Sequence, residues 1–207
     1  MSATVADRGS LVLAALVVAL GAAGCSGDGS ATSTSPSTST TATIGGATSP
    51  SASPSPSATD RQAQAYESAL KTYNAFWTQF TDILRKQSEP LALRPIARGE
   101  AFSYAVQTAR DAKAQGQRLS GSVSHLKLEP KSFAYGGTTQ KPTRVQLQDC
   151  QDLSTAQFVD RNGKQVTRDA DSARFVRFDV TMVNFSPSLV NEWQVDGFKT
   201  TAVTSCS

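Results

Sequence analysis

One histidine and three cysteines carry the most reactive side chains of this 207-residue chain. A Ser-His-Asp triad would have to use His125. That residue stands in "SVSHLKL" (122–128), a short alternating stretch with no nucleophile motif beside it. It reads as a histidine on the exposed face of a strand. Ser68 and Lys71 hold the SxxK spacing of a serine nucleophile with its lysine base, and "KTT" (199–201) faintly echoes a KTG element. There is no SDN element, and Ser68 falls between core positions of a helical stripe, so the match reads as accidental. "DRNG" (160–163) opens like a calcium loop, but its twelfth position is Asp171 where the loop needs Glu. A hairpin turn accounts for those residues instead. With no CxxC pair and no second histidine, neither a metal site nor a cofactor is expected.

The third cysteine, Cys25, has a different setting. Residues 1–24 begin with a weakly charged start, where Asp7 offsets Arg8, and continue as an apolar run from Leu11 to Gly24. About 14 residues are too few to span a bilayer, which takes about 20. They fit a secretory h-region that ends in small residues. The phrase "AAGC" (22–25) resembles a bacterial lipobox, with Ala22 in the place where leucine is best known. The resemblance implies a diacylglyceryl thioether on Cys25, cleavage just before it, and a lipid anchor on the extracytoplasmic face of the cell membrane. Multiple acyl chains hold stably where one does not. An uncleaved anchor helix and a secreted protein with a free Cys25 are the alternatives.

Residues 25–59 form the next segment. Beyond Cys25 it is built of Ser, Thr, Ala, Pro and Gly, broken only by Asp28 and Ile44. It has no apolar periodicity, so it cannot form a core and reads as a disordered tether. As a flexible coil it spans roughly 30 Å, and stretched toward polyproline II roughly 100 Å. Residues 60–207 hold every Trp, Tyr and Phe and nearly all the charge, enough chain to bury a core. A net charge of +3 without a dense basic cluster argues against a nucleic-acid partner.

The elements that would position any chemistry lie in 60–207. Thr59 or Asp60 can cap a helix of about 25 residues. Its stripe is Tyr66, Leu70, Tyr73, Trp77, Phe80 and Leu84, at alternating spacings of four and three. "LALRPIARG" is a short, proline-broken helical piece, and "EAFSYAVQTARDAKAQG" is a second helix closed by Gly116. The period then changes to two. Strands are expected at 122–128, 143–150, 174–184 and 192–206, the last with a bulge near Asp196-Gly197. Residues 156–166 read as a hairpin with Asn162-Gly163 in a type I′ turn.

Helices followed by an antiparallel meander make an α+β fold. With Cys25 committed to lipid, Cys150 and Cys206 form an even pair, and an exported even pair implies a disulfide. In a meander both would lie at one end of the sheet, about 9–10 Å apart across one intervening strand. A bond then requires those ends to bend together.

The element order, with the phrases "LRPIARGEAFSYA", "VQLQDCQDLS", "VDRNGKQV" and "WQVDGFKTT", resembles NTF2-like lipoproteins and secreted proteins of actinobacteria. The resemblance implies a cone: a long N-terminal helix and two shorter ones wrapped by a curved sheet. It makes Tyr73, Trp77, Phe80, Tyr104, Phe178 and Trp193 candidates to line a pocket, or else plain core. It implies a non-catalytic envelope domain that binds an apolar small ligand or an envelope protein partner. An accessory subunit of an Mce-type transport complex is a second version. Some cone-fold proteins are isomerases or cyclases using Asp, His or Tyr groups, for which Tyr73, Tyr104, Asp149 and Asp179 are the candidates here by residue type.

Overall fold

The computed structural model describes residues 57–167 and 173–207. Cys25, the apolar run before it, nearly all of the tether and Asp171 lie outside the described residues. The chain divides into two units between Ser51 and Ala52, and the second contains every described helix and strand.

Helix α1 spans Ala58–Lys86. It starts a little earlier than the sequence suggests, because Ser57 and not Thr59 or Asp60 is the cap. The Ser57 hydroxyl accepts from the Asp60 amide, and the Asp60 carboxylate accepts from the Ser57 amide. This reciprocal pair satisfies two of the helix's orphan donors. It also holds the Asp60 carboxyl below its usual range. The far end closes on Gln87, in the left-handed region at φ 53°. A 3-10 turn at Pro90–Leu93 follows, with proline in its first turn where no amide is needed. Helix α2 is Gly99–Ala114, its buried edge made of Ala101, Ala105, Ala109 and Ala112.

Among the described residues there are six strands: β1 Arg118–Ser120, β2 Ser124–Ala134, β3 Thr143–Asp152, β4 Gln157–Val159, β5 Phe175–Asn184 and β6 Trp193–Val203. Four form an antiparallel sheet in the order β2-β3-β5-β6, and β1 pairs with β4 in a separate two-stranded sheet. The fold is therefore α+β, with two α-helices and one 3-10 turn on antiparallel sheets. Alternation sorts the faces. Val145, Leu147 and Asp149 of β3 and Phe178, Val180 and Met182 of β5 are buried. Their apolar members meet Tyr73, Phe76, Trp77 and Phe80 of α1 in one core cluster.

Three irregularities shape the sheet. In β2 the register shifts at Leu126 and again at Lys131. In β6 it shifts at Asp196, where the sequence suggests a bulge. Strand β2 also runs well past 128, through Pro130, which an edge strand tolerates. The turn at 160–163 differs from expectation. The Gly163 amide donates to the Asp160 carbonyl, and only Gly163 has a positive φ, of 80°. Type I′ needs positive φ at both central residues. This is instead a type I turn closed by glycine. The Asp160 carboxylate selects it by accepting from the Asn162 and Lys164 amides.

Cys150 and Cys206 form a disulfide, with their Cα atoms 5.6 Å apart. Strand β5 lies between β3 and β6. Cys206 sits beyond the end of β6 at Val203, so the terminal residues reach across the end of β5 to meet Cys150. Cys150 pairs with Arg177 on the sheet face opposite Asp149, and the Arg177 Nε between the two strands is shielded from solvent.

Candidate functional site

Asp149 is a fully buried carboxylate in an aromatic core. Its Oδ2 accepts three hydrogen bonds: from the Tyr73 hydroxyl at 2.9 Å, from His125 Nδ1 at 2.7 Å and from Gln151 Nε2 at 2.6 Å. Three elements converge to make them. Tyr73 comes from the middle of α1, His125 from the start of β2, and Gln151 from the same face of β3 as Asp149. An ionised carboxylate only accepts, so the His125 Nδ1 must carry hydrogen and the Gln151 amide must turn its nitrogen inward. In neutral His125 the basic nitrogen is then Nε2.

Bulge geometry puts His125 there. Lys127 pairs with Cys150 and would place Leu126 opposite Gln151 in a regular ladder. The extra residue at Leu126 instead sets His125 opposite Gln151, on the core face. Leu126 is correspondingly 54% exposed. This corrects the reading of His125 as an exposed strand residue: its side chain is 25% exposed and pairs with Asp149. Bulges commonly re-aim one side chain in this way. The His125 ring lies edge-to-face against Tyr73 and Trp77, at 6.1 and 6.0 Å between centroids.

Electrostatics assign the other roles. Burial, and then the neighbouring Asp149 charge, push the Tyr73 hydroxyl well above its usual 10.0. Tyr73 therefore stays protonated at neutral pH and serves as a donor. Asp149 Oδ1 and Gln151 Oε1 are buried without hydrogen-bond partners among the described residues, while the Trp77 indole interacts with the Tyr73 hydroxyl. Each such atom costs about 1–3 kcal/mol.

A cleft of about 330 Å³ opens onto this cluster. Helix α1 supplies Asn74, Trp77 and Arg85, the β1–β2 connection supplies Ser122 and Val123, and His125 lies between them. A larger groove of about 700 Å³ lies elsewhere, among Glu100, Asp179, Asp196 and Lys199. Its carboxylates are exposed or paired, Asp179 with the Arg177 Nε at 3.8 Å. The smaller cleft is the better candidate because His125, held by the buried Asp149, lines it.

The six aromatic residues expected at a pocket divide unevenly. Tyr73, Phe80, Phe178 and Trp193 are core, packed ring against ring or, for Trp193, bonded through its indole to the Leu189 carbonyl. Tyr104 is 37% exposed and packs on Phe80 and Phe198. Trp77 alone of the six lines the cleft. Asp149 and Asp179 do not meet: Asp179 pairs with Gln148 in register and in side-chain hydrogen bonding, on the opposite sheet face. Ser68 and Lys71 take no part in the cleft.

No family model matches this chain, and no curated protein matches it. Among solved structures, the intermembrane space region of the chloroplast protein ARC6 is similar at 12% identity, covering 67% of this chain and 97% of that chain, with a TM-score of 0.45. A likeness that loose carries no argument about role. No helix among the described residues is long and apolar enough to cross a membrane, and no cluster of metal-ligating side chains occurs among them.

Proposed function

We propose that this chain is a lipid-anchored protein of the extracytoplasmic face of a cell membrane. It carries an NTF2-like cone that binds a small ligand. The anchor is Cys25, at the lipobox-like "AAGC", and residues 26–59 hold the domain off the bilayer. The Cys150–Cys206 disulfide supports the compartment, since such bonds persist where the surroundings are oxidising. The long α1 laid on the buried face of a bulged, antiparallel sheet supports the cone.

One observation carries the ligand site: a cleft of about 330 Å³ lined by Trp77 and by His125, which is hydrogen-bonded behind the cleft wall to the buried Asp149. Its volume lies in the range of small-molecule sites, and its lining is mostly polar, with Trp77 and Val123 the apolar members. The test is native mass spectrometry of protein extracted from its own host, with the Cys25→Ser variant beside it. The expected result is an N-terminal diacylglyceryl mass and a co-purifying small molecule, with Cys25→Ser released from membranes. An unmodified Cys25, or a variant that stays membrane-bound, contradicts the anchor. A ligand lost on filling the cleft with Val123→Trp supports its place, and a ligand kept contradicts it.

A further inference from the structure

We propose that His125 is a catalytic general base and that the cleft takes a small planar molecule with an acidified C–H, one beside a carbonyl or a comparable electron sink. This rests on the cleft being the ligand site.

The geometry has the parts such a step needs. Asp149 fixes the ring by accepting from Nδ1, which leaves Nε2 as the proton acceptor. No partner for Nε2 is found among the described residues. Asp149 is fully buried, so its charge faces the imidazolium that forms with little screening by water. Imidazole is a mild base, hence the need for a neighbouring electron sink on the substrate. The negative charge that develops there meets Arg85 at the rim. Two of its nitrogens engage Asp82 and the Gly121 carbonyl, and its positive charge remains at the cleft lining. Trp77 is the aromatic residue of the cleft lining. His125 is the catalytic residue; Asp149 acts through it and is a positioning residue.

A probe with this chemistry is 5-nitrobenzisoxazole. The base takes the C3 proton, the C–H electron pair becomes the third bond of a nitrile, and the ring N–O bond breaks to leave a phenolate. The proton then passes from the imidazolium to solvent, so no co-reactant is needed. The full-length protein, wild type, His125→Gln, Asp149→Asn and Asp179→Asn, is assayed by phenolate absorbance. Probe binding is followed separately by quenching of tryptophan fluorescence.

The expected result is turnover that falls about 100-fold in His125→Gln. Asp149→Asn lowers kcat with KM little changed, and Asp179→Asn behaves as wild type. In the wild type, kcat rises with pH and levels off, because only neutral imidazole accepts a proton. The charged and titratable groups facing it are Asp149 from β3 and Tyr73 and Arg85 from α1. The profile needs no variant to fold. Equal rates in wild type and His125→Gln, or a wild-type rate that only tracks hydroxide, overturn the proposal. Quenching without turnover overturns it while leaving the ligand site standing. The absence of both quenching and turnover overturns the ligand site as well.

Discussion

His125 Nδ1 lies 2.7 Å from Asp149 Oδ2, between adjacent antiparallel strands and under helix α1. The carboxylate is wholly buried while the imidazole reaches the surface of a cleft, so one group holds a fixed charge and the other meets solutes. Tyr73 and Gln151 complete the set by donating to the same oxygen.

Substitutions at Asp149 separate charge from shape. Asp149→Asn keeps an acceptor for the three donors and is expected to fold, with a loss of about 1–2 kcal/mol. Asp149→Ala strands the Tyr73, His125 and Gln151 donors together and is expected to cost about 3 kcal/mol or more. Urea denaturation compares the two; equal losses would mean that the carboxylate is not their common acceptor.

Deleting Leu126 tests how His125 is aimed. If Leu126 is the spare residue of a bulge, its removal leaves a regular ladder in which His125 still faces Gln151. The deletion variant is therefore expected to react with diethyl pyrocarbonate, at the chain's single histidine, at a rate close to wild type. In a strand without the bulge, the same deletion would carry His125 from the outer face to the core. A rate that falls several-fold would therefore contradict the bulge.

Tyr73 sets an alkaline limit. Its hydroxyl is raised in the fold and returns to its usual value on unfolding. The folded chain therefore binds more protons than the unfolded chain above pH 10.0, and stability falls as pH rises through that range. Below it the contribution is complete. Tyr73→Phe is expected to flatten this alkaline slope in pH-dependent melting, and a slope equal to wild type would remove Tyr73 as its source.

The disulfide lies on the sheet face away from the cleft. Its sequence separation of 56 corresponds to about 4 kcal/mol on the chain-entropy model. Cys150→Ala with Cys206→Ala is expected to lower stability by about that amount in denaturant. The His125–Asp149 hydrogen bond should persist, since neither cysteine touches it. Loss of that bond in a still-folded variant would show that the two faces are coupled.

Much of this architecture is legible in the sequence because burial leaves periodic marks. The aromatic stripe of α1, the alternation of β5, the bulge at Asp196-Gly197 and the Cys150–Cys206 pair all follow from spacing and from the topology it implies. The site is a different matter. Alternation through "SHLKL" puts His125 with Lys127 and Glu129, facing water, and one unpaired residue reverses it. A bulge at a plain leucine leaves no compositional trace, unlike one at Asp-Gly. Asp149 is legible only in part: alternation puts it on the dry face with Val145 and Leu147, but its donors come from α1 and β2, which spacing within β3 does not show. The type I turn at Asp160 is hidden by a side-chain contact, because Asn-Gly suits two turn types and the Asp160 carboxylate selects between them.

The chain's single histidine allows one spectrum to test the Asp149–His125 pairing. A long-range ¹H–¹⁵N correlation experiment on the full-length protein reads which nitrogen of neutral His125 carries the proton. The pairing predicts the Nδ1–H form, shifting toward a mixture in Asp149→Asn. A neutral ring protonated on Nε2, unaffected by that substitution, would contradict it.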